Sequence, residues 1–184
     1  VGILDFGGIP RYQDASFKVN LPTKKYGNFS VFGLGGKSGI KETQESLIND
    51  SVTVTGRADV NDALGVIGVN HNYMFNNHSY IHSYISISGT INQIADEEKD
   101  LATGKYWDYY TQKFSNTTMR ASTSYNLKVN RKNSINTGVI YSRMKYKMHS
   151  SLNDDNTVSV DYIKASGKTD MIQGYGTWKH RITK

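Results

Sequence analysis

A period of two in the polarity of the side chains constrains this chain most, and residues 114–130 show it best. Apolar side chains and threonines share alternate positions: Thr117, Met119, Ala121, Thr123, Tyr125, Leu127 and Val129. The positions between them are polar or charged: Asn116, Thr118, Arg120, Ser122, Ser124, Asn126, Lys128 and Asn130. Because successive side chains of a strand point to opposite faces, we predict a β-strand between an apolar phase and water. That apolar phase is either a protein core or a lipid bilayer.

The same period predicts seven strands, at residues 12–21, 28–35, 63–75, 79–92, 114–130, 134–148 and 168–182. Short turns are predicted at residues 22–27, 76–78 and 131–133. Long polar loops are predicted at residues 36–62, 93–112 and 149–167, with a helical turn near residues 42–47. In an up-and-down antiparallel sheet, this alternation would place every short turn at one end and every long loop at the other.

This asymmetry of the connections is the pattern of outer-membrane β-barrels, which have short periplasmic turns and long extracellular loops. The predicted strands reach about 13 to 17 residues, whereas strands of globular sheets have a mode of ~5–6. We therefore predict an all-β fold, an antiparallel up-and-down segment of a transmembrane β-barrel that occupies residues 1–184 as one partial domain. Arg143, Lys145 and Lys147 end the apolar face of the sixth strand, which indicates either a bilayer boundary or a bulge or solvated strand end.

Composition leaves this interpretation open and excludes several others. No run approaches the ~20 apolar residues of a membrane helix, and a mean hydropathy of -0.55 does not exclude alternating strands. Cysteine is absent, which rules out disulfides and thiolate metal sites. The net charge of +6 would suit nucleic acid or lipid phosphate, but the basic residues look scattered along the sequence. We therefore predict no nucleic-acid partner.

Motifs for catalysis or cofactor binding are weak. The glycine-rich stretch at residues 33–39 fails the phosphate-loop pattern, because Val31 stands where that pattern needs glycine. His78 and His82 would lie ~13 Å apart on one strand face, too far for one metal ion. Acidic residues 96–100 and 154–155 lack the spacing of a calcium loop, so solvated charge is favoured. We predict no enzyme activity, no cofactor and no metal site.

Three stretches near the start carry a family resemblance, together with one near the end: residues 10–20, 22–27, 29–36 and 173–178. Their succession resembles the barrel strands of TonB-dependent outer-membrane receptors from Bacteroidota-type bacteria, which carry a carboxypeptidase-regulatory-like domain. The resemblance implies a 22-stranded barrel with an internal plug, of which this chain would be a fragment. It also implies active uptake of a glycan, peptide or metal chelate across the bacterial outer membrane. The implied partners are outer-membrane lipid, the receptor's own plug, TonB and a surface lipoprotein lid.

Two other functions stay open on the sequence. A passive porin-like channel would share the barrel but would need neither plug nor TonB. A soluble β-rich binding protein would turn the same apolar faces inward.

Within the receptor interpretation, polar-face residues near the long loops are candidates to line the lumen and contact ligand or plug: Asp14, Asn70, Asn92, Asn116, Arg120 and Asp170. Four loop aromatics, Tyr106, Trp107, Tyr109 and Tyr110, would either face the ligand or join an interfacial girdle. Four aromatic residues on apolar faces are predicted to join such an interfacial girdle: Tyr73, Phe75, Tyr125 and Trp178.

Overall fold

Seven long β-strands form one antiparallel sheet in a computed structural model that describes residues 8–48, 51–153 and 159–182. The strands follow each other in space as they do in sequence, so the topology is up-and-down throughout. They are β1 (Arg11–Thr23), β2 (Gly27–Ile48), β3 (Ser51–Asn76), β4 (Ser79–Lys99), β5 (Tyr106–Lys128), β6 (Asn133–Leu152) and β7 (Val160–His180). The prediction of an all-β, antiparallel, up-and-down sheet of seven strands is confirmed.

No helix occurs in the part of the chain that the structure describes, and so none there could cross a membrane. The helical turn predicted near residues 42–47 is wrong, because these residues continue β2. Each of them pairs with β3, with Glu42 opposite Ala58 and Leu47 opposite Val52. Cross-strand hydrogen bonding has therefore overridden a weak local preference for helix.

The predicted long loops are mostly strand. Residues 36–48 form the end of β2 and residues 51–62 form the start of β3, and the two strands stay paired as far as Ile48 opposite Ser51. Residues 93–112 likewise extend β4 and β5, joined by a connection at residues 100–105. β6 runs on to Leu152 and β7 begins at Val160, and the acidic residues 154–155 lie outside the described residues. Backbone pairing thus continues for several residues beyond the alternating pattern, even where both faces are polar.

The predicted short turns are confirmed, and side chains stabilise them. The Thr23 hydroxyl donates to the Gly27 carbonyl at 2.6 Å and accepts from the Tyr26 N–H at 3.1 Å. The Asn130 carboxamide oxygen accepts from the N–H groups of Lys132 and Asn133, both at 2.9 Å. These two-to-four-residue connections define what we call the turn end of the sheet, at residues 24–26, 77–78 and 129–132. The opposite end is called the extension end.

The connection between β4 and β5 at the extension end is closed by Asp100. Its carboxylate accepts from the Thr103 hydroxyl at 2.7 Å and from the backbone N–H groups of Ala102 and Thr103 at 2.8 and 3.2 Å. These bonds favour the ionised form, so they hold the pKa of Asp100 below its ordinary value, the Thr103 hydroxyl contributing most. The turn therefore keeps this support at neutral pH and loses it as the pH falls through that lowered pKa.

Neither face of the sheet is covered. Among the described residues no hydrophobic side chain is buried, and the buried side chains of polar residues are serines such as Ser142 and Ser150. β1 pairs with β2 alone and β7 with β6 alone, so the sheet is not closed and both edges are open. A single layer with an exposed apolar face needs something against that face, because burial of apolar surface is the main force that favours folding.

Candidate functional site

The strand register gives the sheet one markedly apolar face. Ile87 of β4 lies directly opposite Ile67 of β3 on one side and Met119 of β5 on the other. The same pairing places further apolar side chains on this face, and together they form what we call the apolar band: Phe17, Val19, Leu21, Phe29, Val31, Ile67, Val69, Tyr73, Ile81, Ile85, Ile87, Ile91, Met119, Ala121, Tyr125, Leu127, Ile135, Val139, Tyr141, Ile172 and Trp178. Ile85 is 58% exposed and Ile172 is 75% exposed. The band is thus a large unpartnered apolar surface.

The apolar band crosses the strands obliquely. Toward the extension end, the last residue of the band on β4 is Ile91. The residues that pair with it on successive strands form one row, which ends at Ser166 in β7. On β7 the limit is Ile172, six residues from that row toward the turn end. At the turn end the band stops at Leu21 in β1 and at Trp178 in β7, which is four residues beyond the row of Leu21. The turn-end limit therefore shifts from β1 to β7, whereas the extension-end limit reaches farthest in β4, and Val31 of β2 lies in the same row as Ile172 of β7.

Aromatic rings line the turn end of the apolar face. Phe29 stacks on His71 with ring centroids 4.3 Å apart, and Tyr73 meets Phe75 edge-on at 5.1 Å. Phe75 continues to Tyr125 at 6.2 Å, across the neighbouring strand pairs. Tyr73, Phe75, Tyr125 and, near the end of β7, Trp178 are the residues for which the sequence predicts a girdle. The rings do lie together at one end of the band, while their contact with a membrane interface stays a prediction.

Cations border the apolar band at its other limit, on the same face. We call these nine residues the basic belt: Arg11, Lys37, Lys41, Lys113, Arg143, Lys145, Lys147, Lys164 and Lys168. Three carboxylates lie among them and each makes an ion pair, Asp59 with Lys41 at 2.8 Å, Asp170 with Arg143 at 2.7 Å and Asp161 with Lys164 at 3.6 Å. The belt therefore carries a large excess of positive charge.

The sequence analysis missed this belt and described the basic residues as scattered. Lys37 and Lys147 are far apart in sequence, yet strand pairing places them in one register row. The sequence did contain one signal of the belt: basic residues recur at every second position, as at Arg143, Lys145 and Lys147, which places them on one strand face. Summing charge along the sequence hides a pattern that exists only across the strands.

The opposite face, called the polar face, carries a hydrogen-bond chain across four strands near the extension end. The Asn92 amide donates to Asp62 at 2.7 Å and accepts from the Gln112 amide at 3.4 Å. Gln112 in turn accepts from the Tyr110 hydroxyl at 2.9 Å, and that hydroxyl accepts from Ser150 at 3.0 Å. Ser150, at one end of this hydrogen-bond chain, is only 1% exposed and so lies beneath neighbouring side chains. Polar groups are thus fixed in place on this face.

The polar face carries net negative charge at the extension end. Five carboxylate side chains lie there, those of Asp14, Glu42, Asp62, Asp96 and Glu98. Partial burial raises the pKa of Asp96 above its ordinary value. The two faces therefore differ in the sign of their charge at this end of the sheet.

Five of the six candidate lumen residues share the polar face: Asp14, Asn70, Asn92, Asn116 and Arg120. Arg120 donates from Nε to the Ser142 hydroxyl at 3.1 Å, and Asn70 donates to the Ser30 hydroxyl at 3.4 Å. Asn70 lies nearer the turn end, six residues before the end of β3, so its predicted place beside a long loop is wrong. Contact of these residues with a ligand or plug stays a prediction.

The prediction that Asp170 lies on the polar face is wrong. Asp170 lies directly opposite Arg143 on the apolar face, where its carboxylate accepts from Arg143 Nε at 2.7 Å and from the Tyr141 hydroxyl at 2.7 Å. The register of β7 is regular from Ile163 onward, so Asp170 must share the face of Ile172, two residues away. Asp170 therefore belongs to the basic belt and not to the polar face.

The four candidate loop aromatics belong to a strand, because β5 begins at Tyr106. Tyr106 accepts the Arg57 guanidinium over its ring at 4.0 Å. Tyr110 takes part in the hydrogen-bond chain of the polar face, and Trp107 and Tyr109 lie between them in β5. Their predicted loop position is wrong, while the choice between ligand contact and girdle stays open.

No group of three or more histidine or carboxylate side chains is close enough to hold a metal ion within residues 8–48, 51–153 and 159–182. The arrangement on these faces is suited to contact with lipid, solute or another chain through many weak interactions.

No family model matches the sequence, and no curated protein matches it. The geometry of the two faces and the resemblance of the early strands therefore carry the functional argument.

Proposed function

We propose that this chain is a section of the wall of a transmembrane β-barrel, with its apolar face toward lipid hydrocarbon and its polar face toward the lumen. The observation that carries this proposal is the oblique apolar band. Its residues are uncovered, so a wall position gives them the apolar surroundings that favour their burial.

On β4, where the band is tallest, its height fits a bilayer. From Ile81 to Ile91, both on β4 and both in the band, ten residues at ~3.3 Å rise span about 33 Å along the strand. A strand tilted by about 40° converts this length into roughly 25 Å along the barrel axis, the usual height of a lipid-facing band. A soluble sheet has no reason to limit its apolar surface to that height.

The slope of the band fits tilted strands. The turn-end limit shifts by four residues between β1 and β7, about 13 Å along the strands, over six strand spacings or roughly 29 Å of width. This limit thus slopes by about 25°, somewhat less than the strand tilt of ~35–45° that barrel closure imposes. In a barrel the bilayer cuts tilted strands at an angle, which produces an oblique limit of this kind.

The ends of the band support the same orientation. Aromatic rings such as Tyr73 and Phe75 mark one limit and cations such as Lys145 mark the other, which are the residue types favoured at membrane interfaces. The soluble alternative would instead place a second protein layer over the whole apolar face.

For the larger function, we propose active transport of a nutrient across the bacterial outer membrane by a TonB-dependent receptor of which this chain is the barrel wall. The resemblance of residues 10–36 to the early strands of such receptors supports the family. An apolar patch on the polar face supports a plug over an open channel: Leu34 lies opposite Val66, and Leu64 is 52% exposed beside them. Such a patch inside a water-filled pore would be better covered by a plug.

Adjacent residues on opposite faces provide a test of the wall position. In membranes of cells that produce the protein, we expect Met119→Cys to react with a lipid-phase probe and Arg120→Cys with a membrane-impermeant aqueous maleimide. Both native side chains are exposed and neighbours in β5, so they differ mainly in the face they occupy. The reverse labelling pattern, or aqueous labelling of both positions, would contradict the proposal.

Transport is tested by uptake in cells that carry or lack the gene. We expect short-term uptake of a labelled glycan, peptide or chelated metal to require the gene and to stop when the proton-motive force is collapsed. Gene-dependent uptake that is insensitive to an uncoupler would indicate the passive channel instead. A protein that stays monodisperse and melts cooperatively without detergent would favour the soluble binding protein.

A further inference from the structure

We infer that the basic belt binds the phosphate groups of anionic lipid headgroups at the membrane surface. This inference rests on the proposed function, because it requires the apolar face to be toward lipid. It adds a specific ligand, the phosphate group, for nine residues that the proposed function places only at a membrane interface.

The position of the belt places it where headgroups would lie. Arg143 is two residues from Tyr141, the last apolar band residue of β6, and Lys145 and Lys147 continue on the same face. On β2, Lys37 lies on the face of Val31 beyond two glycines, Gly33 and Gly35. Cations that directly follow a lipid-facing apolar surface meet the phosphates of an anionic membrane.

The belt brings like charges together, which indicates an anionic occupant. Lys145 and Lys168 are directly opposite each other. Like charges in directly opposed positions destabilise a sheet. Among the ion pairs between described residues none includes Lys37, Lys113, Lys145, Lys147 or Lys168. Phosphate groups between these side chains would remove the repulsion.

The sign of charge on the other face argues against a general role in solubility. At the same level, the polar face carries Asp14, Glu42, Asp62 and Asp96, whereas the belt cations all lie on the apolar face. Charge that served only to keep the extension end soluble would have no reason to be separated by face. The belt cations therefore face the same surroundings as the apolar band, which in the proposed wall position are lipids.

An open cavity lies within the belt at the β1 side of the sheet. It has a volume of about 1020 Å³, and its lining includes the cations Arg11, Lys37 and Lys41, the carboxylates Asp59 and Asp62, and the apolar side chains of Ala63 and Ile91. Cationic groups beside an apolar floor are suited to a lipid phosphate and the first carbons of its acyl chains. The cavity is therefore the part of the belt most suited to hold a single headgroup.

The test compares lipid binding by two variants that lose equal charge. In the belt variant, lysines become glutamine at four positions: Lys113, Lys145, Lys147 and Lys168. In the control variant, lysines at the turn end become glutamine at four others: Lys24, Lys25, Lys128 and Lys132. The full chain in a neutral detergent is titrated calorimetrically with phosphatidylglycerol or phosphatidylcholine dispersed in that detergent.

We expect the unmodified protein to bind phosphatidylglycerol at least about tenfold more tightly than phosphatidylcholine, and the belt variant to lose most of this preference. The control variant should keep it within about twofold, because its lost charges lie at the other end of the strands. An equal loss in both variants, or an unchanged preference in the belt variant, would overturn the inference. Tighter binding of soluble inositol hexakisphosphate than of phosphatidylglycerol would also overturn it, because the belt would then be a site for free polyanions.

Labelling separates failure of this inference from failure of the proposed function. If Met119→Cys in the belt variant still reacts with the lipid-phase probe while the lipid preference is unchanged from the unmodified protein, the wall position stands and the belt inference fails. If Met119→Cys is labelled from water in the unmodified background, the proposed function itself fails.

Discussion

Replacing Ile87 with lysine should destabilise the folded protein in lipid by about 2–4 kcal/mol, the range measured for a cation at the lipid-facing midplane of a barrel. Ile87 lies in the middle of the apolar band between Ile67 and Met119, and it is 49% exposed. A lysine there would place an ammonium group in hydrocarbon, unless its chain bends toward an interface. The free energy of unfolding, from urea titration in lipid vesicles, gives the measurement.

The matched control is Ser88→Lys, one residue along β4 at nearly the same depth. Ser88 lies on the polar face opposite Thr118, so its lysine would reach the water of the lumen. We expect a change below about 1 kcal/mol, as for lumen substitutions. A larger loss for Ser88→Lys than for Ile87→Lys would mean that the polar face is the lipid-facing or buried one.

Gly27→Ala should be the most damaging small substitution, with a loss of about 3 kcal/mol in unfolding free energy. Gly27 begins β2 after the first turn and has a φ of 81°, in the left-handed region. A Cβ added to Gly27 would lie 2.2 Å from the Asn72 carbonyl oxygen, which belongs to the neighbouring strand β3. Relief of that clash would require the backbone of β2 to move away from β3.

Gly104→Ala isolates the conformational part of this cost. Gly104 has a φ of 70°, and a Cβ added there would meet nothing within 4 Å. We expect a loss of about 1 kcal/mol from the strained φ alone. Equal losses for both variants, measured by urea titration in detergent micelles, would contradict the proposed clash with Asn72.

The seven strands could be predicted because one face repeats apolar side chains at every second position. Residues 79–92 show this clearly, with isoleucine at 81, 85, 87 and 91. The turns could be predicted for a separate reason, since Asn130 and Gly27 supply the side-chain bonds and φ values that tight turns need. Both signals are local in the sequence, so no knowledge of the neighbouring strands was needed.

The strand extensions could not be predicted from the same pattern. Around Lys41 and Asp59 both faces carry polar residues, so the period of two disappears although the backbone ladder continues. Pairing there depends on the neighbouring strand, which the local sequence does not specify. Residues 51–55 held a usable signal, because alternating Val and Thr favour strand structure.

The candidate site was predicted in part for a similar reason. Arg120 and Asn92 were assigned to the polar face from parity within one strand, and the register agrees. The belt required the pairing of residues from several strands, such as Lys113 with His149 of β6. Charge patterns across a sheet become visible only when the register is known.

The long paired ribbons of the extension end have a consequence for recognition. β2 and β3 remain paired with each other as far as Ile48 and Ser51, well beyond the last residue of the apolar band on either strand. Immobilising the backbone of a flexible loop would cost roughly 1–2 kcal/mol per residue, and a binding event would have to supply it. A solute that meets these ribbons encounters a backbone already immobilised by folding, so a larger share of its contact energy becomes affinity.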